Sequence, residues 1–217
     1  MKRILANAAL LLYSATVFGV EQAAPESLTV FGAEQAIPES LAPITFLQAH
    51  DTEARHILAQ TEGDTLPEEQ RLQLKQHINS AFDFAELGRL ALGDHWEERS
   101  EGERSQFVET FGSIIAERNL SNFAQYYRDG KIVYRDEEVE SGKAVVRAQA
   151  PGKRAPVDIT YLLYRKEGEW RVYDLVIDDA STAEGYRRRY ARYLKKKPFG
   201  QLMERLEGQR ARLSAQE

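Results

Sequence analysis

From residue 45 to residue 127 the hydrophobic positions of the chain recur every three or four residues, and from Lys131 to Ile177 they recur every second residue. The first spacing predicts helices near 45–60 and 66–79, a third from Phe82 to Leu92, and a long one from Ser100 to Tyr127. Phe84, Leu87 and Leu90 share one face of the third, which Gly93 stops. Phe107, Phe111, Ile114 and Ile115 are at helical spacing in the fourth, followed by Leu120, Phe123 and Tyr127. Thr45-x-x-Gln48, Thr65-x-x-Glu68, Ser100-x-x-Glu103 and Ser181-x-x-Glu184 all fit the capping box, in which the two side chains satisfy orphan N–H groups at a helix start.

The second spacing predicts four strands, Lys131–Arg135, Ala144–Ala150, Val157–Arg165 and Trp170–Ile177. Val145, Arg147 and Gln149 alternate with Val146, Ala148 and Ala150, giving one wet and one apolar face. Ser141-Gly142, Pro151-Gly152-Lys153 and Glu167-Gly168-Glu169 are short links carrying turn residues, so neighbouring strands run antiparallel as a meander. Helices follow from Ser181 to about Lys195 and from Phe199 to Leu213, divided near Pro198. Helices, then strands, then helices describe an α+β domain, a four-stranded antiparallel sheet with helices laid over one face.

The N-terminus breaks this pattern. Lys2 and Arg3 precede an uncharged run from Ile4 to Val20, and Val17 and Gly19 place small residues at the −3 and −1 positions of a cleavage site. This order predicts an export signal over residues 1–19. A membrane anchor is the competing reading, but the run is near the lower limit for a span and contains Asn7 and Ser14. Val17-Phe18-Gly19 then returns as Val30-Phe31-Gly32, and Pro25-Glu26-Ser27-Leu28 as Pro38-Glu39-Ser40-Leu41. Two copies of a 13-residue phrase cannot build a solenoid. Residues 20–42 therefore read as a flexible tail containing a duplicated cleavage junction, and residues 43–217 as the folded domain.

Composition excludes several classes of function. Formal net charge is −5 for the whole chain, and loss of Lys2 and Arg3 takes it to −7, which argues against nucleic acid as partner. The chain has no cysteine, which removes disulfides, thiolate metal sites and a lipidated cysteine at the export junction. An exported chain without disulfides suits a bacterial periplasm. His50, His56, His77 and His95 match no metal-ligand spacing, and no HExxH, GxSxG or Gly-rich phosphate loop is present, so neither a metal, a cofactor nor covalent catalysis is expected. Asp174 is the one mid-strand carboxylate to weigh as an acid or base, against a structural or rim role. Asp178-Asp179 most simply ends the last strand. Seven of the eleven residues from Arg187 to Lys197 are basic and none is acidic. That run reads either as a solvated face suited to a helix C-terminus or as a docking patch, through Arg187, Arg188, Arg192, Lys195 and Lys196, for acidic headgroups or an acidic partner.

Three blocks carry a family resemblance. "FDFAELGRLALGDHWEERSEGERSQFVETFGSII", "GEWRVYDLVIDDASTAEGYRRRYARYL" and "FGQLMERL" resemble, in order over roughly residues 45–213, the MlaC-type or toluene-tolerance family of periplasmic phospholipid carriers. The matching positions are Phe82-Asp83, Leu92-Gly93, Trp96, Ser100, Arg104, Phe107 and Phe111, then Gly168, Trp170, Val172, Tyr173, Asp174, Ile177, Ser181, Tyr186 and Arg187. Asp179-Ala180 stands where the family has Gly-Val, and Lys197-Pro198 where it has a glycine pair. The resemblance implies lipid tails held between sheet and helices. Drawing acyl chains into water costs roughly 0.8 kcal/mol per methylene, which is why a dry carrier is needed.

By that implication the lipid contacts are Leu87, Leu90, Phe107, Phe111, Ile114 and Phe123 on the helices, and Val146, Ala148, Ile159, Tyr161, Leu163, Tyr173 and Leu175 on the strands, with Tyr186 and Tyr190 beyond. Each is also readable as plain core. Ala148 separates the two cases: a lipid-filled gap accepts Ala148→Trp, a filled core does not. The implied partners are a phospholipid, an inner-membrane ABC transporter with an MCE-domain subunit, and an outer-membrane lipoprotein and porin complex. A carrier of another apolar lipid, hopanoid-like, and an α+β pocket enzyme using Asp174 stay open beside it.

Overall fold

Three two-residue turns draw the strands of this protein into one sheet. The computed structural model describes residues 41–60, 66–152 and 154–215, apart from the side chains of residues 125, 128 and 129. The expected export signal and nearly all of the repeat tail lie outside the described residues. Strands β1 (Val133–Glu140), β2 (Lys143–Ala150), β3 (Val157–Lys166), β4 (Glu169–Ile177) and β5 (Ala180–Ser181) pair antiparallel in sequence order. The turns Ser141-Gly142, Glu167-Gly168 and Asp178-Asp179 have positive φ at both central residues, from 46° to 86°. This is the backbone whose twist matches the flanking strands of a hairpin. The sheet has five strands, not four, because Asp178-Asp179 folds the chain back for one more short pairing, Val176 with Ser181 and Ile177 with Ala180. β1 also starts two residues later and ends five residues later than its alternation indicated. Its Asp136–Glu140 stretch is acidic and largely exposed, and it is held by pairing to β2 rather than by burial.

Six helices complete the chain: α1 (Pro43–Ala59), α2 (Glu68–Ser80), α3 (Phe84–Leu92), α4 (Glu101–Asp129), α5 (Thr182–Leu194) and α6 (Phe199–Ser214). Ser100 and Glu103 form the expected reciprocal capping box, and Ser181 caps α5 by accepting from the N–H of Glu184. Thr45 does not cap α1. Pro43 already occupies the first turn, where its missing N–H costs nothing, so the helix begins two residues earlier behind Ala42. Thr65 lies outside the described residues, and α2 begins behind Pro67. α3 starts at Phe84, not Phe82, because the Asp83 side chain accepts from the N–H groups of Ala85 and Glu86.

The core is divided in two. In the first cluster α1, α2 and the second half of α4 cover the apolar face of the sheet, burying Leu47, Ile57, Leu74, Leu120 and Phe123 against Val146, Ala148, Tyr161, Leu163 and Val172. In the second, the first half of α4 packs Phe107, Phe111 and Ile114 against Leu87 of α3, Tyr190 of α5 and Leu202 of α6. The helix α4 serves both clusters because its buried stripe rotates along 29 residues.

Candidate functional site

Between the two clusters, beside the β4 end of the sheet, a cleft of about 150 Å³ opens. One wall is α4, which contributes Ile115, Arg118, Asn119, Asn122, Phe123 and Tyr126 at the three-and-four spacing of one helical stripe. Ile115, Asn119 and Phe123 are buried, whereas Arg118 and Asn122 are exposed, so the stripe grades from apolar depth to polar mouth. The opposite wall is the inner face of the sheet at Ile159, Leu175 and Ile177, with register partners Ile159 and Ile177 side by side. Phe82, Leu87, Thr182 and Tyr186 close the remaining sides.

The two buried polar side chains of the cleft, Asn119 and Asp174, are committed to the fold. The buried Asn119 amide donates to Asn79 Oδ1 at 3.0 Å, and Asn79 in turn donates to the carbonyls of Lys75 and Ala116. Asp174 is 5% exposed. Its Oδ1 accepts from the N–H groups of Leu175 and Ala183, both at 2.9 Å, and its Oδ2 from the Ser181 hydroxyl at 2.6 Å. The carboxylate weighed as an acid or base thus fixes the N-terminus of α5 to β4, the structural role. Burial, reinforced by the nearby Asp178 carboxylate, pushes the Tyr126 phenol above its ordinary range and keeps it neutral. Among the described residues no group of histidines or carboxylates could hold a metal ion.

The sequence-predicted lipid contacts divide three ways. Leu87, Phe123, Ile159, Leu175 and Tyr186 line the cleft. Leu90, Phe107, Phe111, Ile114 and Tyr190 belong to the helical cluster, where the Phe107 and Phe111 rings stack at 5.2 Å and meet Tyr190 edge-on. Val146, Ala148, Tyr161 and Leu163 are closed in under α1 and α2, and Tyr173 lies against Tyr164 outside both clusters, ring centroids 5.8 Å apart. Ala148 is 3% exposed and belongs to the sheet-side cluster. Ile115, Arg118, Asn119, Asn122 and Tyr126 were missed although the helical period of α4 alone could have shown them. Phe82, Asp174, Ile177 and Thr182 reach the cleft only through the fold.

The expected docking residues also separate. Arg187 and Arg188 both pair with Glu184, at 2.6 and 3.4 Å. Arg189, Arg192, Lys196, Lys197 and Arg205 instead line a groove of about 490 Å³ between α5 and α6, floored by Tyr190, Tyr193, Leu202 and Leu206. None of these five cations pairs with a carboxylate among the described residues. Lys195 is exposed and outside that groove.

The model of the MlaC protein family matches residues 48–208, most of the chain. This chain belongs to the MlaC family. Among solved structures, the phospholipid-binding protein from Ralstonia solanacearum in complex with a phospholipid shares its fold, with a TM-score of 0.64 at 24% identity, over 77% of this chain and 98% of that one. No curated protein matches the sequence. Several positions of the MlaC pattern now have visible causes. Asp83 caps α3, Gly93 ends it at a φ of +56°, and Arg104 donates to the Trp96 carbonyl and covers its ring. Asp179, which stands where the resemblance places a glycine, has a φ of +62°, a conformation that glycine adopts without strain.

Proposed function

We infer that this chain is a phospholipid carrier that shuttles lipid through the periplasm between an outer-membrane complex and an inner-membrane ABC transporter with its MCE-domain subunit. The observation that carries this reading is the apolar cleft between two separately packed clusters in a chain of the MlaC family. The fold neighbour from Ralstonia solanacearum, a phospholipid-binding protein in complex with a phospholipid, supports it. Binding and release, with no chemistry on the cargo, suit a cleft whose one carboxylate is spent on the fold.

The cleft is smaller than the roughly 300–1,000 Å³ of ordinary ligand pockets. Acyl chains therefore enter by parting the sheet-side cluster from the helical one, with α4 common to both. Parting two apolar clusters around apolar chains keeps all surfaces out of water, so loading and unloading stay near balance. The basic groove between α5 and α6 is the docking surface of this carrier, since none of its cations pairs with a carboxylate among the described residues.

Thr182 is half-buried on the cleft wall and its side chain makes no hydrogen bond among the described residues. Thr182→Trp fills the cleft without overpacking either cluster. Phosphorus and mass-spectrometric lipid content per protein should be near one phospholipid for wild type and several-fold lower for the variant, at an unchanged melting temperature. Wild-type protein that stays empty after incubation with phospholipid vesicles would sink the carrier reading. Extraction of a different apolar lipid would change its cargo.

A further inference from the structure

Arg118 is the only cation on the cleft wall among the described residues, and no carboxylate pairs with it. Its guanidinium donates to the Tyr186 hydroxyl and lies 5.8 Å from the centre of that ring. Most of its N–H donors therefore have no acceptor among the described residues. The residue sits at the exposed end of the α4 stripe, one turn from Ile115 and from Asn122, where apolar wall gives way to solvent. The other place in the cleft that could receive an anion, the N-terminus of α5, is already filled by Asp174 and Ser181.

We propose that Arg118 selects the cargo by its phosphate: the guanidinium leaves Tyr186 and grips the phosphodiester of the lipid headgroup while the tails lie against Ile115 and Phe123. The inference rests on the carrier reading and adds its headgroup chemistry. A guanidinium presents paired donors in the geometry of a phosphate's oxygens. The Tyr186 hydroxyl is a neutral acceptor that holds the side chain across the mouth and gives it up to a charged one, because hydrogen bonds to ions are about twice as strong as neutral ones. A cleft with one free cation at its mouth prefers a lipid with one negative phosphate to the same lipid without it.

The test compares dioleoylphosphatidylglycerol with dioleoylglycerol, which has the same tails and no phosphate, each presented to delipidated full-length protein from the same detergent micelles. Arg118→Gln should lose on the order of tenfold in affinity for the phospholipid, the worth of one charge-assisted hydrogen bond, and keep its affinity for dioleoylglycerol. Arg118→Lys should recover part of the loss. Tyr186→Phe, which frees the guanidinium, should bind the phospholipid as tightly as wild type or more tightly. Equal losses for both lipids in Arg118→Gln and Tyr186→Phe would reduce the contact to a brace between α4 and α5. No loss in Arg118→Gln would overturn the proposal while leaving the carrier intact, whereas wild-type protein that takes up neither lipid would remove the carrier reading itself.

Discussion

Asp83 shows how much one side chain carries in this fold. Its Oδ1 accepts from the N–H groups of Ala85 and Glu86 at 3.0 Å, capping α3. Its Oδ2 accepts from Tyr164 at 2.5 Å and Lys166 at 2.7 Å, tying that helix start to β3. Burial works to raise its pKa, but Lys166, Tyr164 and the Glu86 N–H together outweigh burial and hold it below its ordinary 3.8. A depressed pKa means the native state favours the carboxylate. The stabilisation is full above pH 3.8 and is lost as pH falls below that through the native value. Asp83→Asn should therefore cost about 1–3 kcal/mol at pH 7, and the gap to wild type should close in urea titrations repeated toward pH 2. A gap that stayed constant with pH would mean the cap alone, not the ionised contact with Lys166, stabilises the fold. Asp83-x-x-Glu86 is a cap signal in plain view. The contacts of Tyr164 and Lys166 with it are not, since they come from more than 80 residues away in the chain.

At the scale of elements, the β4–β5 turn is where the structure shows a backbone cost. Asp178 and Asp179 both adopt left-handed backbone, with φ of 46° and 62°. Asp178 offsets this through an Oδ1 that accepts from the Asp158 N–H at 3.1 Å. Asp179 is exposed and its side chain makes no hydrogen bond to the described residues. Asp179→Gly should stabilise the protein by roughly 0.5–1 kcal/mol, since glycine takes this conformation without strain. A lower melting temperature in the variant would show that the carboxylate has a role the turn geometry does not explain. Short range made most of the elements readable. Ser141-Gly142 and Glu167-Gly168 announced their hairpins, and Ser100 and Ser181 their helices. β5 was missed because two residues carry no alternation; it exists only because the turn returns Ala180 to Ile177.

At the scale of the molecule, α4 joins two cores, and the space where they meet is the cleft. Away from it, α5, the turn that follows it and α6 place five cations around one groove. Arg192→Glu with Lys196→Glu reverses charge there without touching a packed side chain, and exposed charges contribute little stability. Lipid transfer from the loaded protein to vesicles carrying the proposed membrane partners should slow several-fold at an unchanged melting temperature. Arg187→Glu with Arg188→Glu should have the weaker effect, because Glu184 already pairs with both. Equal transfer by all three proteins would leave the basic run as a solvated helix face.

The sequence by itself determined the class of this fold, its first three hairpins, most of its helix ends and its family. These depend on period, turn chemistry and caps, which act over a few residues. It also supplied the apolar side chains, but not their destinations. Phe107 and Phe123 look alike along the stripe of α4, yet one is buried among helices and the other reaches the cleft and the sheet. Burial is non-directional, so an apolar residue can satisfy it against any apolar neighbour. Which neighbour it meets was decided only when α4 packed across both cores, and that packing left Arg118 as the one cation among the described cleft residues.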